Sequence, residues 1–187
     1  MRIKDINSDF IFWGTLWGLS EIFVWQLMSL LHFSMKAPVM AAIAILFMAA
    51  ASENRSLKAI YTALVAISIK VLAGVYFFCS VWAVLSLAIS WEIFRPLAIR
   101  IKRFEAAIYA LSAPLGMLFF ILYRKPEPFA ILMYAGLNGA IAFLLSIPAF
   151  YAGRWLGSRF KPAPTTVASL YGIAAVIVIF YGWVLKG

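Results

Sequence analysis

An all-α, polytopic bundle of transmembrane helices is the fold class this sequence predicts, and three observations carry it. Hydrophobic residues make up 65% of the chain and charged residues 12%, where soluble domains hold about 45–50% and about 25%. Mean hydropathy is +0.97. The apolar residues are gathered into stretches of 16–23 residues, the length that crosses a hydrocarbon core of about 30 Å at about 1.5 Å per residue.

In chain order the stretches are 10–32, 37–52, 59–76, 78–94, 106–123, 129–151 and 167–185, seven spans in one domain covering 1–187. Ser8 or Asp9 can cap the first. Pro38 falls in the first turn of the second, where its missing N–H is harmless. Residues 59–94 carry only Lys70 and Glu92 as charges. A straight helix of that length would be about 54 Å, too long for one crossing. The stretch is therefore split near Phe77–Ser80. Pro114 lies inside the fifth span, where it removes a donor and kinks the helix. A Pro-Ala-Pro linker at 162–164 precedes the last span. The resulting architecture is a six-helix core plus a C-terminal helix.

Orientation follows from the basic residues. With the amino terminus in the cytoplasm, cytoplasmic segments hold Arg2, Lys4, Arg55, Lys58, Arg95, Arg100, Lys102, Arg103, Arg154, Arg159 and Lys161, 11 in all. The outer segments hold Lys36, Arg124, Lys125 and Lys186, which is 4. This bias places the amino terminus inside and the carboxyl terminus outside. Merging the third and fourth spans would scramble it. The net charge of +9 is accounted for by these short loops and by anionic lipid headgroups, so nucleic acid is not an expected partner.

The first span sets the terms for the site. On a helical wheel Gly14, Gly18, Glu21, Trp25, Met28 and His32 share one stripe, opposite Leu16, Phe23, Leu27 and Leu30. Glycines four apart let another backbone come close. Glu21 lies beyond them near mid-membrane, where a charge needs a partner or a task. Lys70 is the second intramembrane charge, on a face with Ala59, Ala63, Ala66 and Gly74. Glu21 and Lys70 are each 11 residues in from the cytoplasmic start of their spans, about 16 Å deep at 1.5 Å per residue. An ion pair between them is geometrically allowed if spans one and three are neighbours. Asn138, beside Gly136 and Gly139, sits near mid-membrane in the sixth span. It can serve a ligand or a hydrogen bond between helices. Glu92 is read as an interfacial pair with Arg95.

These polar groups at one depth in an apolar bundle predict a pocket for a small solute. Glu21 and Trp25 form one wall, Lys70 and Asn138 add polar contacts, and Tyr76–Trp82 close the mouth, with Trp82 as a contact. Enzymatic chemistry is not expected: the sequence has no HExxH, GxSxG, P-loop or paired aspartates. One cysteine, Cys79, and one histidine, His32, exclude a disulfide within the chain and His-pair metal motifs. No cofactor is expected. A second function class fits the same helices: a non-catalytic scaffold or anchor subunit of a larger complex, packed solid where a binder has a cavity.

The stretch WGLSEIFVWQL (Trp17–Leu27), the Lys70 span and IKRFEAAIYALSAPLG (Ile101–Gly116) give the chain a family likeness. It resembles the substrate-binding S components of energy-coupling factor (ECF) transporters, or uncharacterised membrane proteins near that group. The resemblance implies six helices around an outward-facing pocket for a vitamin, a related small molecule or a metal ion. It also implies a prokaryotic cell membrane and a transmembrane coupling subunit with two cytosolic ATPases. The coupling contact is typically AxxxA in the first helix, a position that Gly14 and Gly18 would fill here. The seventh span is a departure from that pattern.

Overall fold

A computed structural model describes residues 8–33, 35–51, 57–74, 78–123 and 127–184, and the described elements are all helical. They are α1 (Ser8–Leu30), α2 (Lys36–Ala51), α3 (Lys58–Leu72), α4 (Phe78–Arg100), α5 (Glu105–Ala110), α6 (Ser112–Tyr123), α7 (Pro128–Ile131), α8 (Gly139–Arg159) and α9 (Pro164–Val184). A single 3-10 turn (Lys102–Phe104) leads into α5, and a π-helical segment (Leu132–Asn138) joins α7 to α8.

Each boundary has a local cause. The chain after α1 turns at His32, which adopts a left-handed φ of 51°. Its N–H donates to the Ser29 carbonyl at 3.1 Å and that of Phe33 to Met28 at 2.9 Å. This is the reciprocal pattern that ends helices on a left-handed residue. The long 59–94 stretch is divided, but earlier than the expected split near Phe77–Ser80, since α3 ends at Leu72 and Phe78 already belongs to α4: Gly74, at φ 73°, takes a backbone conformation that costs little only without a Cβ. Gly74 is thus past the end of α3, and the small face of that helix consists of Ala59, Ala63 and Ala66, all fully buried.

The fifth span is interrupted rather than bent at Pro114. The break falls at Leu111, whose N–H is shared between the Ala107 and Ile108 carbonyls at 3.2 Å. Pro114 then sits in the first turn of α6, where no donor is needed. Helices α4 and α8 outrun the expected spans, to Arg100 and Arg159. Their basic ends can follow the headgroups, so polarity there does not stop the helix. The last helix begins at Pro164 in the first-turn position.

Among the described residues, four helical stretches are long and apolar enough to cross a membrane: Val81–Arg100, Lys102–Leu122, Met133–Arg159 and Pro164–Gly182. Helix α2 is apolar but shorter, and α3 has 15 residues. Helix α1 has 23 residues but carries Glu21, Gln26 and three tryptophans, which lower its hydropathy.

The main core joins Trp17, Ile45, Met48, Val84, Trp91, Tyr109 and Phe150. Glycines set the helix spacings around it. A Cβ on Gly153 or Gly157 of α8 would overlap the Leu46 and Ala50 carbonyls of α2. Helix α9 lies outside this core, against α1 and α3, through a separate cluster of Ile22, Ile69, Ala73, Ala174 and Val178.

Candidate functional site

The site is built by the α1–α3 contact. A Cβ on Gly14 would lie 2.6 Å from the Thr62 carbonyl oxygen, and one on Gly18 would lie 2.7 Å from Cβ of Ile69. With glycines on α1 and Ala59, Ala63 and Ala66 on α3, the two backbones approach closely. That contact also fixes the register. Glu21 is the next position up the α1 stripe from Gly18, and Lys70 is four residues on from Ala66. Their side chains meet: Lys70 Nζ lies 3.2 Å from Glu21 Oε2, with side-chain exposures of 3% and 13%. The other carboxylate oxygen, Oε1, accepts from Trp17 Nε1 at 3.2 Å. Each Glu21 oxygen therefore has a donor, as a carboxylate in an apolar bundle requires.

Above the pair is a cavity of about 490 Å³. Glu21, Ile22, Trp25 and Gln26 line it from α1, Met40 and Ala41 from α2, and Lys70 from α3. Val84, Ser86 and Leu87 of α4, Gly116, Met117 and Phe120 of α6, and Tyr134 of the π-helical segment complete the wall. Gly116 lets α6 pass close to α4, since a Cβ there would lie 2.8 Å from Leu87 Cδ2 and 3.1 Å from Leu87 Cα. A shallower depression adjoins this cavity, sharing Trp25, Ala37 and Tyr134 and adding Ser29, His32, Phe33 and Lys36. The mouth therefore lies at the His32 end of α1. Lys36 is held there by Ser29 Oγ at 3.0 Å and stands 5.5 Å from the Trp25 ring centroid.

Three of the five expected contacts, Glu21, Trp25 and Lys70, are brought together around the cavity. Two are placed elsewhere. Trp82 turns to α6 and donates from Nε1 to the Phe119 carbonyl at 3.4 Å; the following residues of α4 line the wall instead. Asn138 closes the π-helical segment and is not among the lining residues, where Tyr134 stands. Tyr76 and Phe77, expected at the mouth, lie outside the described residues. Gly14 and Gly18 are buried under α3 of the same chain. The face that the resemblance assigned to a coupling subunit is thus already filled, because Ala59, Ala63 and Ala66 offer the complementary small surface from within.

Gln26, Ser86, Met117 and Tyr134 were not anticipated. Gln26 follows Trp25 directly, and its Oε1 accepts from the Tyr181 hydroxyl of α9. Ser86 heads an i,i+4 serine pair with Ser90, whose hydroxyl donates to the Ser86 carbonyl at 2.7 Å. Chemically, the ion pair presents both signs of charge with no net excess, and the remaining walls are mostly apolar, with aromatic and thioether side chains. Among the described residues no three His, Cys, Asp or Glu side chains converge to hold a metal. Comparison of the chain with protein-family models, curated proteins and solved structures gives no match.

Proposed function

We propose that this chain binds a small solute in the cavity above Glu21 and Lys70, taking it from the outer face of a cell membrane. The observation that carries the reading is the cavity itself. It has the size and the apolar lining with a few polar groups that small-molecule sites use, and it is open at one end. The narrower form is a substrate-binding component of an ECF-type uptake system, with the coupling subunit and its ATPases supplying energy. It draws on the sequence resemblance. The solute is largely apolar or aromatic in body, with hydrogen-bonding groups at one end. It has no need of net charge, because Glu21 already balances Lys70.

One observation favours the second reading, a scaffold or anchor subunit. Gly14 and Gly18 are covered within the chain, so a coupling partner would have to use another face. Native mass spectrometry of the gently purified protein separates the two. A co-purifying small molecule is expected, and Trp25→Ala should lower its retained amount about tenfold, the effect of losing about 1.4 kcal/mol of contact. No such molecule, together with a stable complex of non-transport proteins, would replace the binder with the scaffold.

The same reading sets the topology: seven crossings, amino terminus inside, mouth outside. Reporter fusions should place Arg100 in the cytoplasm and Gly187 outside, following the 11-to-4 distribution of basic residues. A cytoplasmic carboxyl terminus would reverse the direction of the site or remove a span.

A further inference from the structure

The end of the bundle opposite the cavity mouth is shut by a layer of three rings. Trp91 stacks on Tyr109 with centroids 3.9 Å apart, and Tyr109 stacks on Phe150 at 5.5 Å. Two ion pairs flank the layer: Arg95–Glu92 at 2.9 Å and Arg154–Glu105 at 2.8 Å. The Arg154 guanidinium also lies 5.6 Å from the Phe150 centroid.

Two features distinguish this layer from ordinary core. The first is its polar content. Trp91 Nε1, Glu92 Oε1, Ser112 Oγ and Ser146 Oγ are buried without a hydrogen-bond partner in the protein. Other hydroxyls on α4 and α8 donate to a carbonyl about one turn back, as Ser90 does to Ser86 at 2.7 Å and Ser158 to Trp155 at 2.8 Å. Ser112 and Ser146 do not, although each is fully buried. Such groups are costly in a permanently dry core. Ser112 is seven residues along from Glu105, and Ser146 is eight before Arg154, so both stand about 10–12 Å from that pair along their helices.

The second feature is the backbone. Two of the helices that contribute a ring carry a proline close to it, and the third is broken there. Pro96 lies inside α4, five residues after Trp91. The break at Leu111 is two residues after Tyr109, and Pro148 lies inside α8 two residues before Phe150. Proline removes the hydrogen bond that would stiffen a helix there, and such points absorb the rotation in hinge motions. The segments beyond Leu111 and Pro148 carry Glu105 and Arg154, while Trp91, Glu92 and Arg95 all precede Pro96 and stay with the body of α4.

We propose that this layer is a gate, and that the chain itself opens to the face opposite the cavity mouth. The closed gate is the stacked state with the Arg154–Glu105 pair made between α8 and α5. In the open state the segments beyond Leu111 and Pro148 swing apart and away from Trp91, carrying Tyr109 with Glu105 and Phe150 with Arg154, and the four unpartnered polar atoms become the wetted lining of a passage. The inference rests on the reading of the cavity as a solute site and extends it: a chain with such a gate passes its solute through its own centre.

Membrane-impermeant maleimide labelling tests this in vesicles of both orientations, on the full chain with Cys79→Ser. Trp25→Cys reports the mouth. Ser112→Cys, nearly isosteric with the native residue, reports the gate, and Ser146→Cys repeats the test on a second helix. The expected result is labelling of Trp25→Cys from one face and of both gate positions from the opposite face. Adding Arg154→Gln should raise the gate rate about fivefold, as removal of a partly exposed ion pair from the closed state allows. Gate positions that label from neither face, yet react fully after SDS denaturation, would show a permanent seal and overturn the gate. Labelling of those positions from the same face as Trp25→Cys would overturn it too, by making the layer the floor of the cavity. Failure of Trp25→Cys to label from either face would remove the cavity reading itself, and the gate with it.

Discussion

Glu21→Gln and Lys70→Met should each destabilise the protein by about 3–5 kcal/mol, and the double variant by less than either. The pair is 3.2 Å apart and largely buried, so removing one member takes the counter-ion from the other in mostly apolar surroundings. Lys70→Met leaves a carboxylate with only the Trp17 indole to support it. Glu21→Gln leaves an ammonium facing a neutral amide. Removing both leaves no charge to strand, which is why the double variant recovers. Unfolding in mixed micelles of mild detergent and SDS reads the three differences, and the coupling energy follows from the cycle. Strictly additive losses would mean that the two groups stabilise the fold independently. The solute site should respond differently: the double variant keeps its fold while its cavity loses both polar anchors.

Replacing Gly153 and Gly157 by alanine should be costly in a way that replacing Gly172 is not. The first two stand where α8 crosses α2, and their new methyl groups would overlap the Leu46 and Ala50 carbonyls, which are backbone and cannot rotate away. Overpacking of this kind costs about 1–3 kcal/mol at each site. Gly172, on α9, has nothing within 4 Å of its Cβ position. Alanine there should be neutral or stabilising by up to about 1 kcal/mol, through the helix propensity it restores. Thermal unfolding followed by size-exclusion recovery would separate the two cases. Equal shifts at Gly153 and Gly172 would mean that α8 does not lie as close to α2 as described.

The Glu21–Lys70 pair was legible in the sequence because two numbers coincide. Each residue is equally deep in its span, and each shares a face with small residues that draw helices together. The division of 59–94 was legible as well, from the impossible length of a single helix and from the loop charges. The placement of Trp82 and Asn138 was not. Depth in the span is what singles out Asn138, and Tyr134, four residues earlier at the end of the cavity toward its mouth, takes the place expected for it. Trp82 shows a different limit. Its helix has a neighbour on several sides, and nothing in the spacing says which one the indole meets. The glycines of α1 share this ambiguity: small residues announce a close contact without naming the partner, and here the partner is α3.

The ion pair also bears on the order in which the chain is made. Glu21 and Lys70 are 49 residues apart, and at about 5–20 residues per second the carboxylate is synthesised roughly 2–10 s before its counter-ion. Through that interval α1 has no lysine to meet and is a poor candidate to enter hydrocarbon by itself. On this timing the first three helices are expected to settle in the lipid as one cohort, once Lys70 has been translated. Helix α9, which packs against α1 and α3, is the last to emerge and docks on a bundle whose central charges are already matched.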